Sequence, residues 1–206
     1  MLNDGALDQT NWIHMLGGYR LTLACALTTI RETLVELLDR SLMVTYDNAY
    51  VFNQTNEYGK CLRAFNLTKR GFSLSFENIP DDQKYVGSSM PFPFSGISEI
   101  SQGLTIGDLC VNPFPKKHST WDDLSYLILQ NHSLDVYLTA IEAAHARYLL
   151  PPDEAREVCP AWLVRAKEGI RKVLFSETPM TEIERYRSDF AMLNKNIDPL
   201  TMDDFR

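Results

Sequence analysis

Apolar residues recur with a helical period at the start of the chain. Ile13, Leu16, Leu23, Leu27, Ile30, Leu34 and Leu37 form a seam with steps near three and four, and Arg20 is its only break. Such a seam marks one face of an amphipathic helix. The pattern predicts one long helix from Asn11 to Asp39, capped by Asp8 or Thr10, and running roughly 40 Å at ~1.5 Å per residue. Gly17 and Gly18 lie near its start. Each costs ~1 kcal/mol against alanine in a helix, so the pair marks a kink, a late start or a close crossing. A helix of this length outruns a small core. Its Leu27–Leu37 half is expected beneath the C-terminal helices, centred on Leu138, Ile170 and Tyr186. Its other half, with Trp12, Leu16, Arg20 and Leu23, is expected to meet another chain.

The period then changes to two. Leu42 to Tyr46 and Ala49 to Phe52 read as strands joined by Asp47-Asn48, and Cys61 to Leu67 and Phe72 to Phe76 flank Lys69-Arg70-Gly71. The expectation is an antiparallel meander of about four strands. From Asn78 to Lys117 the pattern is irregular, with Pro80, Pro91, Pro93, Pro113 and Pro115 among Gly87, Gly96, Gly103 and Gly107. The same stretch holds Met90, Phe92, Phe94, Ile97, Ile100, Leu104, Ile106, Leu109 and Val111, too apolar a load for simple disorder. Leu104–Ile106 and Leu109–Val111 read as short strands. Loops this long are often functional.

From Ser119 onward the period is helical. Thr120 to Asp123 make a capped, acidic first turn. Asn131-His132 predicts a break, Ser133 a new cap, Pro151-Pro152 a stop and Pro160 a fresh start. A last helix opens at Thr178 or Thr181 and faces inward with Ile183, Tyr186, Phe190 and Leu193. The whole reads as a single α+β domain, residues 1–206. Within it lie a long helix (1–40), a β-meander (41–77), an irregular region (78–118), a helical part (119–195) and an Asp-rich tail (196–206).

Composition narrows the function more than the fold. The chain has 206 residues, 45% of them apolar and 23% charged, enough to bury a core without metal or disulfide staples. A net charge of −7 argues against broad nucleic-acid or anionic-membrane binding. The most apolar window, Leu21 to Ile30, is ten residues between two arginines, where a membrane span needs ~20. Cys25, Cys61, Cys110 and Cys159 are far apart, and Met1 to Asp8 carries Asp4 and Asp8 with no basic run. Reduced, buried thiols in an intracellular, cytoplasmic setting are expected. The sequons at Asn53, Asn66 and Asn131 then read as chance matches.

Candidate chemistry is sparse. Glu142 and His145 share a helical face, but a di-metal bundle needs a second such step, and none is present; His145 reads as a hydrogen-bonded core histidine. Ser88 and Ser89 lack a nucleophile elbow. Nothing in sequence places the cysteines beside His118, His132 or His145, and no zinc spacing or phosphate-binding glycine motif occurs. No catalytic, cofactor or metal residue is assigned. A nucleic-acid reading would stack bases on Tyr50, Phe52, Phe65 and Phe72. An enzyme reading would close the Asp81–Lys117 loop as a lid over His118, Asp122 and Asp123. The favoured expectation is a non-enzymatic structural, assembly or adaptor subunit of a homo- or hetero-oligomeric machine, a virion component being one instance. Its docking segments are Trp12, Leu16, Arg20 and Leu23; Met90, Phe92 and Phe94; and Leu200, Met202 and Phe205.

Overall fold

The computed structural model describes residues 7, 10–16, 20–47, 49, 52–55, 59–112 and 119–194. The first helix is shorter than its seam. Trp12–Met15 is a strand, β1, and helix α1 runs over Leu21–Leu38, 18 residues. In β1, Trp12 and His14 are exposed while Ile13 and Met15 are half-buried, a period of two rather than of a helix turn. A second strand, β2 (Met43–Tyr46), pairs with it in parallel, Trp12 opposite Met43 through Met15 opposite Tyr46. Parallel neighbours need a crossover between them, and α1 supplies it. Asp39 takes a left-handed backbone (φ 47°) to end α1.

The four-strand meander is likewise replaced. Beside the parallel ribbon there is one hairpin, β3 (Lys60–Thr68) with β4 (Gly71–Asn78). Gly71, at φ 146°, takes the chain out of the Lys69-Arg70 turn in a backbone that other residues rarely adopt. Phe52, expected to end a strand, instead opens a helical turn over 52–55. The short strands expected at 104–106 and 109–111 give way to helix α2 (Ile106–Leu109). Thr105 and Asp108 close a reciprocal capping box on it, which a strand would not have used. Helix α3 (Asp123–Tyr148) runs unbroken through Asn131-His132. Then come α4 (Pro152–Val158), α5 (Ala161–Phe175), α6 (Pro179–Arg185) and α7 (Arg187–Asn194). The α+β plan holds: a long N-terminal helix, a small β region and a helical C-terminal half. No helix among the described residues is long and apolar enough to cross a membrane.

Contacts divide the chain into two compact units. Of the described residues, the first holds those up to 47, 67–72 and 143–194; the second holds those within 49–66 and 73–142. In the first, α1 packs chiefly on α5. Leu21, Cys25, Leu34, Leu163 and Ala166 are buried there. The hydroxyls of Thr29 and Tyr148 bond each other inside this core. Arg165 of α5 grips Asp189 of α7, with Nη2 2.7 Å from Oδ1.

The second unit is centred on Cys61, Ile79, Phe92, Phe94, Ile106, Leu109, Trp121 and Leu129. His132 is fully buried in it. A carbonyl can only accept, so Nε2–H donates to Leu62 O at 3.0 Å. The bare Nδ1 of the neutral ring then accepts from Ser98 Oγ at 2.6 Å. Burial pushes the pKa of this imidazole below its ordinary value, against smaller upward pulls from the Leu62 hydrogen bond and the Asp135 charge.

Candidate docking surface

The parallel ribbon has two unlike faces. Ile13, Met15 and Val44 point inward with Leu27, Ile30, Leu34, Val173 and Leu174, around an apolar pocket of about 580 Å³. Trp12 and Met43, side by side across the strands, point outward and are 57% and 59% exposed; Leu16 just beyond is 77% exposed. Parallel strands are ordinarily covered on both faces, and a two-stranded sheet is marginal alone. Among the described residues this ribbon is covered on one.

The Trp12 ring is held in place. Its Nε1–H donates to Thr45 Oγ1 at 2.7 Å, and that hydroxyl shares a second hydrogen bond with His14 Nδ1 at 2.8 Å. His14 meets the indole edge-on, ring centres 6.2 Å apart. His14 Nε2 stands 4.0 Å from Asp47 Oδ2, too far for a hydrogen bond. A hydroxyl, an imidazole and a carboxylate in sequence suggest a nucleophile relay. Here, though, the hydroxyl is already the acceptor for an indole, so the cluster fixes an aromatic side chain at the surface. A fixed, exposed tryptophan is a strong anchor for a partner, because little rotamer freedom is left to lose on binding.

The other expected docking residues divide. Arg20 is half-buried in extended backbone before α1, and Leu23 is half-buried on α1. Met90 is exposed, but Phe92 and Phe94 are interior. Their rings flank His132 at 5.3 and 6.1 Å, so the proline-rich stretch turns both phenylalanines into its own core and leaves Met90, Pro91 and Pro93 outside. Leu200, Met202 and Phe205 lie outside the described residues.

The residues of the two alternative readings are engaged structurally. Phe65 and Phe72 are buried, with Phe65 stacked on Tyr137 at 5.1 Å, and neither presents a face to a base. Phe52 is half-buried. Asp122 Oδ1 accepts from Ser125 N and Oγ, which holds its carboxyl below the usual range and caps the start of α3. Asp81 accepts from the Thr120 hydroxyl at 2.7 Å, and Asp123 is exposed in the first turn of α3. Tyr50 and His118 lie outside the described residues. His145 is half-buried. The Thr28 hydroxyl donates to Ala24 O, so Thr28 Oγ1 accepts from His145 Nε2, 3.1 Å away. Among the described residues no three His, Cys, Asp or Glu side chains converge as metal ligands.

One surface escaped the sequence reading. Leu124, Leu127 and Leu138 of α3 are 61%, 51% and 49% exposed. Leu138 therefore faces outward. The predicted break at Asn131 hid this, because it split one helical stripe into two unrelated halves.

By its architecture the chain is an α+β protein with a one-sided parallel ribbon. Comparison with known protein families, curated proteins and solved structures finds no match.

Proposed function

We propose that the chain is a non-enzymatic assembly or adaptor subunit that engages another protein chain through the outward face of its β1–β2 ribbon. The observation that carries this reading is the hydrogen-bonded, exposed Trp12 beside Met43 and Leu16. Aromatic anchors flanked by apolar neighbours dominate the energy of protein interfaces. Among the described residues no third strand pairs with the ribbon, and its edges offer backbone donors and acceptors to an added strand.

Site-specific photocrosslinking tests it. A photoreactive residue in place of Leu16 should give one discrete adduct in an extract of the source cells, lost when Trp12 is changed to serine. The same probe at Arg185, exposed on α6, should give none. A chain that stays unmodified from position 16 and has the native mass of a monomer refutes the reading.

A further inference from the structure

Helix α3 carries polar side chains inward and leucines outward. On its buried side the Ser125 hydroxyl shares its proton between Leu109 O at 2.8 Å and Asp122 Oδ1 at 2.9 Å, Ser133 Oγ accepts from Leu62 N–H at 3.1 Å, and His132 is bonded through both ring nitrogens. On its outer side Leu124, Leu127 and Leu138 are exposed, Leu134 is half-buried, and Asn131 lies exposed among them. A contiguous run of exposed leucines on one side of a helix marks a surface that docks against another. The stripe runs roughly 21 Å along the axis, and nothing among the described residues covers it.

Its pattern says what would. Leucines precede Asn131 by seven and four positions and follow it by three and seven. The stripe therefore reads nearly the same in either direction. A surface that matches its own reverse is complementary to a second copy turned about a two-fold axis. Asn131 selects that copy. Its Nδ2 donates to Leu127 O at 2.8 Å, and its Oδ1 has no partner among the described residues. Against a leucine of another helix the amide would be stranded in an apolar interface. Against Asn131 of a second copy it finds an amide at its own level. A two-fold axis crossing the helix at Asn131 makes the pairing antiparallel.

We infer that two copies of this chain associate through antiparallel α3 helices that cross at Asn131. Leu124 and Leu127 of one copy lie against Leu138 and Leu134 of its partner. The inference stands on the second unit alone and does not depend on the ribbon.

Sedimentation equilibrium of the full chain should show a monomer–dimer equilibrium. Changing Leu127→Glu with Leu134→Glu should weaken it roughly a hundredfold, with the far-UV circular dichroism unchanged. Trp12→Ser should leave the dimer intact, which separates this interface from the ribbon. Mixed Leu124→Cys and Leu138→Cys chains should give a disulfide-linked dimer under mild oxidation, and neither variant should do so alone. The native cysteines do not compete, since all four are buried. A wild-type chain that is monomeric up to its solubility limit overturns the inference, as does a dimer that survives the double glutamate change. Efficient self-crosslinking of Leu124→Cys alone overturns the antiparallel arrangement.

Discussion

Acidification should destabilise this protein through His132 before any carboxylate takes part. The imidazole is fully buried, donates to Leu62 O at 3.0 Å, accepts from Ser98 Oγ at 2.6 Å and is flanked by the rings of Phe92 and Phe94. Both ring nitrogens are committed in the neutral form. Protonation of Nδ1 would turn the Ser98 hydroxyl toward Ser101 Oγ, 3.2 Å away, and leave a charge in an apolar shell. Burial accordingly holds the native pKa below the ordinary value of 6.5. The unfolded chain then binds the proton more readily than the native one. Stability is complete above the unfolded pKa, begins to fall as pH drops through about 6.5, and continues to fall down to the native pKa. Within that window one group contributes at most about 1.4 kcal/mol per pH unit. Aspartates and glutamates in the unfolded chain titrate near 4, below the upper end of the window where the imidazole begins to act. The assay is urea denaturation at pH 7.5, 6.5 and 5.5, with wild type beside His132→Gln. The glutamine amide can donate to Leu62 O and accept from Ser98 Oγ, but it does not titrate. Between pH 6.5 and 5.5 wild type should lose more stability than the variant, by at most about 1 kcal/mol. Parallel pH profiles for the two proteins would refute the reasoning.

Three further outcomes follow from packing and burial. Desolvation pushes the thiols of Cys25 and Cys61 up to about 12. Both should therefore resist alkylation at pH 8 in the native protein and react once it is unfolded, as read by intact and peptide mass spectrometry. Gly169 lies under the Tyr186 ring, and an added Cβ would sit 2.6 Å from Tyr186 Cγ. Gly169→Ala should cost about 1–3 kcal/mol in chemical denaturation, although alanine is the better helix former. Arg165→Met would leave the buried Asp189 carboxylate without its guanidinium. Because the arginine is half-exposed and screened, the expected loss is about 1–2 kcal/mol, and Asp189→Asn should cost less.

The local pattern of this sequence determined its elements where a period persisted or a residue forbade continuation. The α1 seam, the hairpin around Lys69-Arg70-Gly71, the stop at Pro151-Pro152 and the start at Pro160 depend on a residue's own geometry or on neighbours a few positions away. The aromatic anchor Trp12 and the exposed Leu16 were also legible as candidates for a docking surface. Tertiary structure decided what depended on distant partners. Ile13 and Met15 fit either a helix or a strand, and β2, some thirty residues away, resolved the choice by offering a parallel edge. Phe92 and Phe94 suit a docking loop or a core equally well; the buried His132 and Leu129 gave them a core to join. The largest gap lay in α3. Asn131, His132 and Ser133 disfavour a helix locally. Bonds from His132 and Ser133 to Leu62 and Ser98 hold the helix continuous. That continuity sets Leu124, Leu127, Leu134 and Leu138 on one outward stripe, because hydrogen bonds over long separations override a local preference worth less than 1 kcal/mol per residue.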